Sequence, residues 1–374
     1  MVAEGLSWSA GSPTKQGMAP SPSAIPAWSW LFPLAAAPLL LFGGAGGWMA
    51  LPMVLALGGT VFASVHHAEV VAARVGEPFG TLILAVAVTV IEVALIVSLM
   101  LSDPVGQAAL PRDTVFAAVM IVCNLLVGLC LLVGGARHHE QGFQARSASA
   151  FLSVIVVLAT LVLVLPNHTT SGAEAELSRS QMLFVGVAAL GMWLVFVFVQ
   201  TLRHRDYFLP DDDSEGAHAA PPTPRATLVA LGLLVASLGL VVLMAKALTP
   251  TMTAGLAVVG APVAAVGVII AALILMPESV AALRAARANR LQTALNLALG
   301  SVLACIGLTV PIVVGVALVT GQPVILGLSP SGTVLLAVTF LVSVLTLGAG
   351  RTTVLQGAVH LTLGLTWLFL VFVP

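Results

Sequence analysis

The chain is a succession of apolar stretches, each about the length that crosses a hydrocarbon core, separated by short polar breaks. A transmembrane helix needs about 20 apolar residues. Eleven such stretches stand out, at 29–45, 48–65, 79–102, 114–134, 149–166, 181–202, 226–246, 257–283, 293–319, 324–349 and 353–373. The fold class expected is therefore all-α and polytopic. Composition closes off the alternative: 14 basic and 15 acidic residues in 374 cannot cover a water-facing surface, and 59% of the chain is hydrophobic. An ordinary soluble domain carries about 25% charged residues, so a soluble enzyme is excluded. A net charge of −1 gives no footprint for nucleic acid. Cys123, Cys130 and Cys305 lie in apolar runs and form no zinc or disulfide pattern, so they read as small core residues.

The breaks carry the charge, proline and turn chemistry, as at Ser102-Asp103-Pro104, Arg137-His138-His139-Glu140 and Pro166-Asn167-His168. Only Gly43-Gly44-Ala45-Gly46-Gly47 separates the first two spans. Residues 1–28 are Ser/Pro-rich and polar and read as a disordered cytoplasmic tail rather than a signal peptide. Residues 203–225, with Asp211, Asp212, Asp213 and Glu215, read as an acidic cytoplasmic linker, disordered and matching no EF-hand. The expected domains are the tail, an extra helix at 29–45, a five-span unit at 48–202, the linker, and a second five-span unit at 226–374. No extramembrane segment is long enough to house an active site.

Orientation follows from the basic residues. Alternating crossings put Lys15, Arg74, Arg137, Arg146, Arg203, Arg205, Arg225, Arg284, Arg287, Arg290 and Arg351 on the side of the N-terminus. Arg112, Arg179 and Lys246 fall on the other, so the split of the 14 is eleven to three. The positive-inside bias then places the N-terminus in the cytoplasm and the C-terminus outside. Arg284, Arg287 and Arg290 recur every third residue and suit anionic lipid.

Two acids stand inside spans. Glu92 lies 13 residues after Phe79 and 10 before Ser102. A carboxylate at bilayer centre costs at least ~2.5 kcal/mol, so it should face the protein interior or a wet cavity. Glu278 follows Pro277 directly and reads either as an interfacial acid or as part of a site. The proline frees a backbone carbonyl one turn earlier, and a carboxylate beside free carbonyls is an oxygen set that suits hard cations. Each acid follows an apolar run opened by a proline, Pro78 or Pro262. The span of Glu92 is entered from the N-terminal side and that of Glu278 from the opposite side. Two units of five spans, an odd number, must insert with inverted topology, and many secondary transporters place an ion site at such an interface.

These residues also carry a resemblance. His67-Ala68-Glu69, Arg74-Val75-Gly76-Glu77-Pro78-Phe79-Gly80 and Ile91-Glu92-Val93 resemble the first alpha-repeat of bacterial calcium/proton antiporters in the cation/calcium exchanger superfamily. The sodium-potassium/calcium–proton branch is the nearest. Pro277-Glu278-Ser279, Asn289-Arg290-Leu291 and Leu299-Gly300-Ser301 resemble the second repeat, and Gly350-Arg351-Thr352 with Gly357-Ala358-Val359-His360 resembles the tail of that branch. The resemblance implies an eleven-helix fold, one extra N-terminal helix plus two inverted five-helix repeats. It implies exchange of a cytoplasmic cation, Ca2+ or else Na+ or K+, for external protons by alternating access, with Glu92 and Glu278 binding cation and protons in competition. Neither a catalytic residue nor a resident cofactor is expected; the partners are lipids, inorganic cations and protons. Where many relatives carry asparagine three residues before each acid, this chain has Thr89 and Leu275.

Supporting roles are open at several positions. Asn124 orients Glu92 or ligates the cation, or makes a helix–helix hydrogen bond. Gly300 and Ser301 let the ninth span approach Glu278, or are small packing residues. His360 relays protons or is a hydrogen-bonded core histidine. His66, His67, Glu69 and Glu77 form a polar approach to the third span. Proton-independent sodium/calcium exchange is the rival; the bareness of the spans around Glu92 and Glu278 favours proton coupling. The His-Glu-x-x-His of an intramembrane metalloprotease does not occur.

Overall fold

Backbone groups in hydrocarbon have no water to bond, so each span must satisfy its own. The computed structural model accordingly is helical almost throughout; it describes residues 26–43, 47–76, 79–170, 175–208, 222–258, 260–262 and 264–373. The tail through residue 25, Glu77, Pro78 and the acidic run 211–215 lie outside the described residues. The helices are α1 (Ala27–Pro38), α2 (Ala50–Val75), α3 (Phe79–Ser102), α4 (Leu110–His138), α5 (Ala145–His168), α6 (Arg179–Arg203), α7 (Pro224–Val258), α8 (Ala264–Arg287), α9 (Leu291–Thr320), α10 (Pro330–Leu347) and α11 (Val354–Phe372).

Ten of these are long and apolar enough to cross a membrane, and α1 is the exception. Its apolar helix, Ala27–Leu41, is 15 residues or fewer by sequence position, about 22 Å of rise against about 30 Å of hydrocarbon. Other boundaries move from the hydropathy reading: α2 runs on to Val75 rather than ending at 65, and α8 starts at Ala264 rather than 257. The seventh helix runs on through Pro250 to Val258, beyond the expected end at 246. The tenth begins at Pro330 rather than 324, because the apolar run before it is extended, not helical. Gly321, at φ 71°, ends α9 in a left-handed turn. Beyond it Val324, Leu326 and Leu328 are buried. Their strip donates from Ile325 N to Ala108 O (3.0 Å), Leu326 N to Ala175 O (3.2 Å) and Leu328 N to Leu163 O (2.9 Å). Apolar side chains alone look the same in either conformation; only the neighbouring loops supply the backbone partners.

Polar ties between distant segments test the alternation of crossings. Call the side where α1 begins the N face and the other the C face. On the N face, Gln141–Gly142 after α4 pairs antiparallel with Arg351–Thr352 before α11, His138 Nε2 meets Arg287 O at 3.1 Å, and Ser147 Oγ donates to Asn296 Oδ1 at 2.9 Å. On the C face, Arg112 reaches Gly327 O at 3.2 Å and Arg179 reaches Leu318 O at 2.9 Å. Each tie joins ends that an alternating path puts on one side.

The two five-helix units pack as counterparts. Helix α2 lies along α7; α4 packs on α8 and α11, and α9 on α3 and α6. Both third helices of the units widen into a π turn, at Ile121–Leu126 in α4 and Cys305–Thr309 in α9. In α9 the cause is at hand: Pro311 has no N–H to close the ladder behind it. The core lies around α4, α5, α8 and α9, while α6 turns Leu183, Phe184 and Val187 outward toward lipid.

Small residues bring these helices together. A Cβ at Gly357 of α11 would lie 2.5 Å from the Leu132 backbone nitrogen in α4. At Gly191 of α6 nothing lies within 4 Å. Gly357→Val is expected to lower thermal stability in detergent, by about 1–3 kcal/mol from overpacking, with Gly191→Ala neutral or stabilising. Melting curves of the two purified variants check this.

Candidate functional site

A cavity of about 400 Å³ runs inward from the N face between α3, α6, α8 and α9. Arg205 and Phe208, just beyond α6, and Asn296 in the first turns of α9 line its outer part, while Glu92 and Glu278 line its inner end. The wall is mostly apolar, from residues such as Leu82, Val88, Trp193 and Ile274.

Both acids are buried, Glu92 at 8% and Glu278 at 7% exposure. Helix α3 presents Thr89 and Glu92, three residues apart, on one face, and the Thr89 hydroxyl donates to Ala85 O at 2.9 Å. Across the cavity, α8 continues unbroken through Pro277, which is buried behind Glu278. Pro277 leaves the Leu273 carbonyl without its helical donor, and Ser279 Oγ donates to Leu275 O at 2.7 Å. One Glu278 oxygen, Oε2, is buried without a hydrogen-bond partner. The two carboxyls are near enough to act on one another electrostatically.

Of the residues expected to share the site, Thr89, Glu92, Glu278, Gly300 and Ser301 line the cavity together. Asn124 does not: its Nδ2 donates to Thr339 Oγ1 of α10 at 2.9 Å, the helix–helix alternative. His360 also stands apart, its Nε2 2.8 Å from Thr346 Oγ1 of α10.

Cys305 departs from its reading as a packing residue. Cys123 and Cys130 are free and buried, but the Cys305 thiol donates to Glu92 Oε1 at 2.7 Å. The π turn of α9 places it there. Thr309, one turn on, has a buried hydroxyl next to the same carboxyl yet outside hydrogen-bond geometry. A sequence signal existed: Ser301, Cys305 and Thr309 recur every fourth residue, a polar stripe along an apolar helix. Gln200 and Thr201, also in the wall, had no such mark. Asn296 is spent on structure, donating to Phe208 O at 2.6 Å and accepting from Gln292 and Ser147. Among the described residues, no three His, Cys, Asp or Glu side chains converge as they would for a resident metal.

The C face is closed at the corresponding place. Interchanging the two units maps the cavity walls α3, α6, α8 and α9 onto α8, α11, α3 and α4. A smaller cavity of about 220 Å³ lies beside it, between α4, α8, α10 and α11, bounded by Asp113, Phe116, Val268, Leu335 and Trp367. At its edge α4 and α8 touch: a Cβ at Gly267 would lie 2.8 Å from Asp113 Cβ and 3.1 Å from its backbone carbon. Arg112 fastens the contact, pairing with Asp113 at 2.8 Å while holding Gly327 O.

The family model for sodium/calcium exchanger proteins matches residues 46–202 and 229–373. The chain belongs to that family. The exchanger is 47% identical to an ionic transporter, y4hA, of Sinorhizobium fredii, over 94% of this chain and 97% of that protein. It is 35% identical to the sodium-potassium/proton antiporter ChaA of Escherichia coli, over 92% of this chain and 96% of that one. In fold it matches the structure of native YfkE, with TM-score 0.69 at 18% identity over 92% of this chain and 100% of that one. The H+/Ca2+ exchanger CAX gives 0.68 at 13% identity, over 92% and 89% of the two chains. The exchanger is thus a multi-pass membrane protein from a family of transporters, not of catalytic enzymes.

An N-face opening has a direct consequence for labelling. In a background with the native cysteines replaced, Thr201→Cys should react with a membrane-impermeant maleimide added to the N face and not to the C face. Sided vesicles, right-side-out and everted, check this.

Proposed function

We propose that the exchanger carries an inorganic cation out of the cytoplasm against protons, with Glu92 and Glu278 as the shared binding groups. The observation that supports this most directly is the pair of buried carboxyls at the blind end of a one-sided cavity, with no lysine, arginine or histidine in hydrogen-bond contact among the described residues. Two anions cannot stay desolvated without compensation. A cation between them supplies it, and so do protons. Since both occupants satisfy the same need, each excludes the other, and the pair titrates as a unit. Rocking of the two inverted units around the pair would expose it to either side in turn.

The orientation belongs to this reading: with eleven of fourteen basic residues on it, the N face is cytoplasmic and the C-terminus outside, in a bacterial inner membrane. Arg284, Arg287 and Arg290 then anchor on anionic lipid. Thr89, Ser301 and the carbonyl freed by Pro277 are the further oxygens we assign to the cation, with Gly300 leaving room beside Ser301. Asn124 and His360 act at a distance, holding α10 against α4 and α11.

Charge balance supports Ca2+ as the transported ion, since one divalent ion or two protons neutralise two carboxylates. A specific pair of observations supports Na+ or K+ instead. Leu275 offers no side-chain oxygen three residues before Glu278, and the 35%-identical relative is a sodium-potassium/proton antiporter. Desolvating a divalent ion costs several times more than a monovalent one, so a site poor in oxygens favours the latter. Everted vesicles with an acidified lumen separate these. Proton release on adding Ca2+, Na+ or K+ identifies the ion, and Glu92→Gln and Glu278→Gln should each abolish it. Release by no cation would overturn the reading, and sodium-dependent calcium uptake without proton movement would establish the proton-independent exchanger.

Competition has its own signature. Lowering pH on the cation-binding side from 8 to 6 should raise the half-saturating cation concentration while leaving the maximal rate at saturating cation nearly constant. Initial-rate measurements at fixed ΔpH check this.

A further inference from the structure

Cys305 sits where an ion-site helix meets the carboxyl of Glu92, and the reading above makes no use of it. The contact links residues 213 apart in sequence, at 2.7 Å, with both partners buried. It is not a chance of dense packing. The π turn at Cys305–Thr309 turns the thiol toward α3, and Gly307 in the same turn lies so close to α6 that an added Cβ would fall 2.6 Å from Trp193 Cβ. The backbone that presents Cys305 is thus pinned from behind by α6. One oxygen of the other acid, Glu278 Oε2, has no hydrogen-bond partner. Glu92 is thus tied back to α9, while Glu278 keeps an oxygen unspent.

We propose that Cys305 is a positioning residue for ion exchange: its thiol holds Glu92 back against α9 in this N-face-open arrangement and releases it when the cation draws Glu92 and Glu278 together. This rests on the reading of Glu92 and Glu278 as the shared site. A thiol suits the task because it is a weak donor, so the hold is easily broken. A hydroxyl at the same place is the stronger donor and would make a firmer bond. Cation binding would then have to break a firmer contact. An alanine would leave Glu92 without its holder, and the cation would have nothing to break.

The role predicts opposite shifts. Cys305→Ser should raise the half-saturating cation concentration about fivefold, the difference between a weak and an ordinary hydrogen bond. Cys305→Ala should lower it, with maximal rates altered less than the half-saturation in both. A thiol that merely fills space would give shifts of the same sign in both variants, or none, and either result overturns the proposal. A second measurement needs no transport. The S–H stretching band of Cys305, assigned by its loss in Cys305→Ser, should shift toward the free-thiol frequency in Glu92→Leu, which removes the acceptor, and on addition of the transported cation to wild type. A band unmoved by Glu92→Leu overturns the proposal. The two readings fail separately: absence of cation-driven proton flux in wild type removes the function, while the S–H band and the signs of the Ser and Ala shifts decide the role of Cys305.

Discussion

Two carboxyl groups buried in a hydrocarbon-embedded protein, with no basic side chain hydrogen-bonded to either among the described residues, are the constraint on which the rest of the structure turns. A soluble protein would pair such groups with arginine or lysine, and the pair would then be satisfied once and for all. On the function proposed above, the compensation is left to a cation or protons that come and go. The need explains why Glu92 and Glu278 lie at the end of a cavity and not in sealed core. Helices α4 and α9, which pack on the helices that carry them, each contain a π turn, as do α5 and α6. A regular ladder directs every side chain at a fixed 100° step; a π turn re-aims one or two without ending the span.

Inverted repetition supplies the second half of the design. The same local arrangement occurs twice, pointing opposite ways, and in this structure the two copies differ. On the N face α3 and α9 stand apart around the cavity, whereas on the C face α8 and α4 touch at Gly267 and Asp113. Exchange of the two arrangements would move the opening to the other face without moving the acids. The contacts that differ are few and specific: a glycine on a backbone, and an arginine bridging its neighbour to a loop of the other unit. Contacts of this kind switch between discrete states better than a broad apolar interface does, since little surface changes partner.

Much of the fold is legible along the chain because hydrocarbon enforces it. Continuous apolar runs become helices since nothing else satisfies their backbone there, and basic residues sort to one side. The reading fails where the backbone finds partners other than its own turn. The strip before α10 is as apolar as a helix but bonds to the loops at Ala108, Leu163 and Ala175. At α1 the run is apolar enough but the helix is short. Within the site, Glu92 announces itself as a charge in an apolar span, and Thr89, Ser301 and Gly300 follow by spacing. Asn124 stands out just as strongly, yet bonds to Thr339 away from the cavity. Cys305 does not stand out, because a cysteine in an apolar run has the same hydropathy whether or not it faces a carboxyl.

By itself the sequence determined that this chain crosses a membrane many times, that it does so as two antiparallel units, and that two acids lie where acids are expensive. Those properties depend on composition and periodicity, which act locally. The tertiary structure alone decided which face is open and which closed, that the acids share one cavity, and that a thiol from the other unit holds one of them. Those depend on side chains up to 213 positions apart meeting across helix crossings and a π turn, geometry that no local pattern encodes.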